Sequence, residues 1–195
     1  MRDYSDKLKT LANVFLANRV KFGVMVSDVL LIKPKIVTEA AFVATNEGEL
    51  IRVLDTASEL KIPCLVLGSG LKHKFRQTIS GLLVADKTRL LKIVGIKGKV
   101  GGAGIGVDEA SVEVASGENL LRLNEFLRQH GLAEVDVVDD PNITIGERLE
   151  WDDSLRSLVE KIKIWDQGQV YRCNIFELNK ARHVILGVII KTKAK

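Results

Sequence analysis

IPCLVLGSGLKHKF, residues 62–75, joins a short apolar run to two glycines and a group of cations. Cys64-Leu65-Val66-Leu67 is bounded by Pro63 on one side and by Gly68-Ser69-Gly70 on the other, a pattern that predicts a buried strand ending in a turn. Upstream, Thr45-Asn46-Glu47-Gly48-Glu49 supplies helix-start residues, and Leu50, Val53, Leu54, Ala57 and Leu60 follow at helical intervals, predicting a helix over about 47–61. Ala41-Phe42-Val43-Ala44 before it reads as a compact strand. Strand, helix, strand in so short a compass is a βαβ unit, and such units make parallel strands.

Outward from this unit the chain keeps mixing the two periodicities. Residues 3–18 place Leu8, Leu11, Ala12, Phe15 and Leu16 at helical spacing with Asp3 near the start as a cap, and Val20–Ile36 is a β-branched lead-in. Gly81–Ala85, Leu90–Gly95 and Val112–Ala115 read as strands, with the glycine-rich stretch from Lys99 to Asp108 as a flexible hairpin connection between the last two. Ser116-Gly117-Glu118 then opens a helix carrying Leu120, Leu121, Leu123, Phe126 and Leu127, which His130-Gly131 closes. A polar loop with Asp139-Asp140-Pro141 leads to strands at Lys161–Trp165 and Val184–Ile190. The reading is α+β, with two α/β subdomains: a lead-in over 1–35, a first subdomain over 36–86 and a second over 87–195.

At 195 residues and 46% apolar content the chain is long enough for a real core. Its net charge of +4 comes from interspersed signs and argues only weakly for a polyanionic partner. Cys64 and Cys173 lie far apart in apolar surroundings, which suggests neither a disulfide framework nor metal spacing and makes a reducing cytoplasm the expected setting. The N-terminal text lacks the apolar core of a signal peptide, and no run approaches a membrane span.

Two strand-to-turn junctions carry the chemistry. Leu67-Gly68-Ser69-Gly70 and Ala115-Ser116-Gly117-Glu118 expose backbone amides where few side chains block approach, an arrangement suited to a diphosphate, with Lys72 and Lys74 as compensating charge. The plainer alternative for the first is a tight turn with solvated lysines. Gly101-Gly-Ala-Gly-Ile-Gly106 resembles a dinucleotide fingerprint but precedes turn and strand text rather than a helix, so it is read as a hairpin. His73, His130 and His183 show no metal-ligand interval, and neither a nucleophile elbow nor a phosphate-binding Walker loop occurs.

The order of these motifs resembles the flavin-binding part of the UDP-N-acetylenolpyruvoylglucosamine reductases, a family with the vanillyl-alcohol-oxidase type of FAD fold. The resemblance rests on Asn46-Glu-Gly-Glu-Leu50 leading into Ile62-Pro-Cys-Leu-Val-Leu-Gly-Ser-Gly70, on Val114-Ala-Ser-Gly117 before a helix ending at Gly131-Leu132, on Pro141-Asn142-Ile-Thr144-Ile-Gly146 where the family has a glycine-rich diphosphate loop, and on Tyr171-Arg-Cys-Asn-Ile-Phe176. It implies FAD as cofactor, held by Leu67, Gly68, Ser69, Gly70, Leu71, Lys72, Ser116, Gly117, Pro141, Asn142, Thr144 and Gly146, with Arg172 as the catalytic residue that stabilises negative charge. For Tyr171-Arg172 a strand pair with one residue in the core and one on the surface remains an equal alternative.

The departures bear on function. Leu71 and Lys72 stand where the family has a Ser-Asn pair, Asn142, Ile143 and Glu147 replace glycine character in the second loop, and no counterpart of the family's C-terminal substrate domain is expected within these residues. The expectation is weak flavin binding or none, and no reduction of the family's substrate by this chain alone. Three functions follow: an FAD-dependent oxidoreductase that completes its site with a partner chain, by self-association, or acts on another substrate; a non-catalytic nucleotide-binding or interaction module on the same fold; and, least supported, a nucleic-acid binder using Lys72, His73, Lys74 and Arg76, since aromatic residues make up only 5%.

Overall fold

A computed structural model describes residues 4–15, 19–32, 36–75, 79–101, 104–136, 139–179 and 181–195. The chain divides into two compact units, Met1–Thr88 with Asp166–Gln169, and Arg89–Trp165 with Val170–Lys195. The expected positions Asp3, Leu16 and Arg76, and Gly102-Ala103 of the glycine-rich stretch, lie outside the described residues.

The first unit begins with α1 (Ser5–Val14), whose Leu8 and Leu11 are buried, and β1 (Val20–Met25). β2 (Val37–Ala44) leads into α2 (Glu47–Glu59), which begins where the Asn46 side chain accepts the Glu49 amide. The residues expected to form its apolar face, Leu50, Val53, Leu54 and Ala57, are buried, and the helix packs on β2 and on β4 (Ile79–Asp86). Its end is a Schellman turn in which the Ile62 amide reaches Ala57 O (2.8 Å) and Lys61 takes the left-handed position at φ +53°.

β3 (Cys64–Leu67) follows, and the sheet order is β1-β2-β4-β3. β2 and β3 are parallel, as a βαβ unit requires, but they are not neighbours: β4 lies between them, parallel to both. The burial explains the order. Leu82, Leu83, Val84 and Ala85 are all fully buried, so this unbroken apolar run takes the position covered on both faces, while β3, with only Leu67 buried, takes the edge.

The second unit opens with a long hairpin, β5 (Leu91–Gly101) and β6 (Gly104–Ala115). The glycine-rich stretch expected as a flexible connection is built into these strands, with Gly98 paired to Val107, Lys99 to Gly106 and Gly101 to Gly104. At the Lys97/Gly98 register shift, a side chain on Gly98 would collide with the Gly106 carbonyl, so glycine is needed there for close backbone approach.

α3 (Leu120–Gln129) begins one step later than the Ser116-Gly117-Glu118 reading places it, because the Asn119 side chain accepts the Arg122 amide. Gly131, at φ +65°, closes it as expected. The short helices α4 (Ile145–Arg148) and α5 (Asp153–Leu158) precede β7 (Val159–Asp166), β8 (Gln169–Cys173) and β9 (Val184–Lys193), giving the sheet order β5-β6-β9-β7-β8. One face of this sheet buries Val112, Val114, Ile162, Val188 and Ile190 against Leu120, Leu123 and Leu127 of α3 and Leu155 of α5. Among the described residues no helix is long and apolar enough to cross a membrane.

Candidate functional site

In the first unit, β2, β3 and β4 end together. Parallel strands commonly present ligand-binding loops at that carboxyl edge, where a topological switch leaves a crevice. Leu67, Gly68, Ser69 and Gly70 are buried there, Leu71 is half-buried and Lys72 is exposed. The turn is organised from within. Ser69 O accepts the Leu31 amide (3.1 Å), Ser69 Oγ accepts the Leu71 amide (3.2 Å), and Gly70 O accepts the His73 amide (3.1 Å).

Gly70 does need its left-handed φ of +73°, but the space a side chain would enter belongs to the protein. A Cβ at Gly70 would lie 2.8 Å from Leu30 Cδ1 and 3.3 Å from Ile32 Cδ1. A packing role for this glycine thus stands beside the expectation that it leaves room for phosphate. Lys72, His73 and Lys74 are exposed, and the His73 ring meets Phe75 edge-on at 4.5 Å.

A cation that reaches the turn, Lys87, is one the sequence reading passed over. Lys87 Nζ donates to Gly68 O at 2.9 Å, while the Lys87 amide donates to Ala44 O at 2.8 Å. Beside it, the buried Asp86 carboxylate accepts the Thr88 amide and hydroxyl (2.9 and 2.7 Å). The available signal was the polar triplet Asp86-Lys87-Thr88 closing an apolar strand.

The candidate residues of the second unit are brought together by direct pairing. Loop 140–146 docks on turn 116–119 through an antiparallel bridge between Asn119 and Thr144, with the Ile145 amide on Glu118 O (2.6 Å) and the Gly146 amide on Ser116 O (2.9 Å). Gly146 suits this approach, since a Cβ there would sit 3.1 Å from Ser116 Cβ, a tight contact. Ser116 is buried, its amide and hydroxyl both donating to Leu186 O at 3.1 Å, and the Glu118 amide returns to Ala115 O. Within the loop, Asp140 Oδ1 accepts the Asn142 amide and side chain (2.9 and 3.0 Å), and the Ile143 amide reaches Asp140 O (3.2 Å) beside Pro141.

Two buried charges underpin this junction. Glu118 is 1% exposed, with the guanidiniums of Arg89 and Arg122 each 3.6 Å from its Oε2. Burial pushes its carboxyl above the ordinary range, although both arginines pull the other way. Arg89 also donates to Gly117 O. Arg148 is fully buried, pairs with Asp152 Oδ2 (3.2 Å), donates to Asp140 O (2.6 Å) and lies over the Trp151 ring.

Arg172, the expected catalytic residue, stands on β8 with its Nη2 2.8 Å from Glu113 Oε1. Its charge is matched by a carboxylate, so an anion at this guanidinium competes with Glu113. Cys64 and Cys173 are free thiols, and among the described residues no group of three His, Cys, Asp or Glu side chains could hold a metal ion.

Comparison with known proteins follows the same outline. The family described as FAD binding domain matches residues 38–146. The chain is similar over 98% of its length to 4-ethylphenol oxidase from Gulosibacter chungangensis in an isoeugenol complex, with a TM-score of 0.69, 10% identity and 43% of that structure covered. It is similar over 99% to alkyldihydroxyacetonephosphate synthase (TM-score 0.64, 12% identity, 42% covered) and over 98% to p-cresol methylhydroxylase with substrate bound (TM-score 0.64, 12% identity, 44% covered). The mixed α+β architecture with two sheets is thus that of the vanillyl-alcohol-oxidase type of FAD-binding fold, and the chain spans less than half the length of these structures. No curated protein sequence gives a match.

Proposed function

Because the chain belongs to the FAD binding domain family, we propose that it keeps the fold as a dinucleotide-recognition module whose flavin site is weakened, so that FAD is held loosely and lost on purification. The observation that carries this reading is the use of the donors. A flavin diphosphate is held by backbone amides that have no other acceptor. Here the amides of Leu71, Ser116, Glu118, Asn142, Ile143, Ile145 and Gly146 all donate within the protein. The residues present do not fit the group well: Leu30 and Ile32 pack over Gly70, and Glu147 adds negative charge to the second loop. Each charge-assisted hydrogen bond lost to a phosphate weakens binding by about 1.5–3 kcal/mol, so losing two or three accounts for several orders of magnitude.

The finer kinship, to the flavin portion of the UDP-N-acetylenolpyruvoylglucosamine reductases, is supported by motif order and is part of the same proposal. It makes Leu71 and Lys72 the decisive substitutions. The second reading, an FAD-dependent oxidoreductase working with a partner chain or another substrate, is favoured by Lys87, which places an ammonium at the Gly68 carbonyl on the carboxyl edge of the strands.

The test is gel filtration of the purified chain followed by FAD titration. A colourless protein that saturates only at high FAD concentration, and a Leu71→Ser/Lys72→Asn double variant that binds at least about tenfold more tightly, are the expected results. A yellow protein that keeps its flavin absorption through gel filtration would overturn the proposal in favour of the oxidoreductase.

A further inference from the structure

A cavity of about 560 Å³ opens in the first unit, where the C-terminal end of α1 meets the start of α2; its size suits a small organic molecule. Val14 and the half-buried Phe15 form its apolar wall, and the buried Phe42, with its ring centroid 4.9 Å from that of Phe15, forms the floor. Two guanidiniums flank these rings, Arg19 lying 5.2 Å from the Phe42 centroid and Arg52 5.2 Å from that of Phe15.

The two arginines are not equivalent. Arg19 Nη2 lies 2.8 Å from Glu49 Oε2 and donates to Val43 O at 2.9 Å, so its charge is matched. The same Glu49 oxygen accepts the amide and hydroxyl of Thr45, both at 2.8 Å. Arg52 donates from Nη2 to Val14 O at 3.0 Å and makes no ion pair among the described residues. Two guanidiniums against one carboxylate leave one net positive charge, placed beside the first turn of a 13-residue helix, where the macrodipole adds to it.

We propose that this cavity binds an aryl carboxylate, its ring against Phe15 and Val14 and its carboxylate on the Arg52 guanidinium. A planar guanidinium fork matches a carboxylate in two parallel hydrogen bonds. The single net charge selects a monoanion, since a dianionic phosphate would meet the Glu49 carboxylate without a second cation to balance it. The site uses α1, β2 and α2 and none of the turn residues assigned to the dinucleotide, so it stands independently of the flavin reading.

The experiment is calorimetric titration of the full chain with benzoate and with its neutral isostere benzamide, with inorganic phosphate as competitor. Saturable one-to-one binding of benzoate, at least about tenfold tighter than benzamide and not displaced by phosphate, is expected. Arg52→Gln should weaken benzoate by about tenfold or more. Because Arg52 also ties α1 to α2 through Val14, a second variant serves if that one unfolds. Gly48 lines the cavity and a Cβ there meets only Asn46 Oδ1 at 3.4 Å, so Gly48→Phe should fill the mouth and abolish binding without lowering the melting temperature. Equal affinity for benzoate and benzamide, displacement by phosphate, or benzoate binding that survives Gly48→Phe would overturn the proposal.

Discussion

Replacing Gly70 by alanine should cost the first unit more than the backbone conformation alone explains. Two glycines of this unit have similar positive φ, +73° at Gly70 and +58° at Gly23, so each loses about 1–2 kcal/mol when an L side chain is forced into the left-handed region. Their surroundings differ. A Cβ at Gly23 meets nothing within 4 Å, whereas at Gly70 it would stand 2.8 Å from Leu30 Cδ1, well inside the roughly 3.5–4.0 Å of a normal carbon contact.

Leu30 is 5% exposed and belongs to a core cluster with Val26, Val29, Leu67 and Leu83, so a shift of its Cδ1 has to be absorbed by that packing. Overpacking of this kind adds about 1–3 kcal/mol, which places Gly70→Ala at about 2–5 kcal/mol against about 1–2 for Gly23→Ala. Urea unfolding of both variants measures the difference. A Leu30→Ala background, itself costing about 2–5 kcal/mol, supplies the second reading: combined with Gly70→Ala, the total should fall short of the sum by about 1 kcal/mol or more. Equal costs at the two glycines, or strict additivity with Leu30→Ala, would refute the packing role. The result also decides how ligand experiments are read, because loss of dinucleotide binding in a Gly70 variant would then report on the fold.

Glu118 and Arg148, both buried in the second unit, make separate predictions. Glu118 has its carboxyl raised by burial, so the folded state binds more protons than the unfolded one as pH rises from the ordinary glutamate value through the raised one; stability falls across that window, and Glu118→Gln should flatten the fall in melts taken from pH 4 upward. Arg148→Ala leaves Asp152 buried without its cation and the Asp140 carbonyl without its donor, and should cost about 3–5 kcal/mol in urea unfolding; a loss below about 1 kcal/mol would mean the pair contributes little.

Much of the candidate site was legible as a set of segments and illegible as a set of contacts. That Gly68-Ser69-Gly70 forms a buried strand-end turn could be read from strand text and turn residues, whereas the link between residues 116–119 and 140–146 came from the family resemblance. Lys87 could have been found from the position of Asp86-Lys87-Thr88 at a strand end, but nothing local indicates that its ammonium reaches back 19 residues to Gly68. The pairing of Arg172 with Glu113, 59 residues away, left no trace in either local pattern. Some of the donors behave likewise: the amides of Ser116, Ile145 and Gly146 find their acceptors at Leu186, Glu118 and Ser116, outside their own loops.

α2 shows what the linear text is sufficient to decide. Its cap at Asn46, its 3.6-residue apolar stripe and its stop near Leu60 are short-range effects, all formed among residues within about four positions of one another. Gly131, placed in a left-handed C-terminal turn, is another. Burial, by contrast, is assigned by competition across the whole unit. Both β3 and β4 are apolar, and only the packed sheet gives the interior position to Leu82–Ala85 and the edge to Cys64–Leu67. Gly70 is the sharpest case: its φ could be anticipated from a Gly-x-Gly turn, but whether its open side faces a phosphate or a leucine depends on where Leu30, 40 positions earlier, comes to rest. Periodicity and capping act within a turn or two of backbone, whereas the filling of a gap depends on which distant side chain arrives there when the core closes.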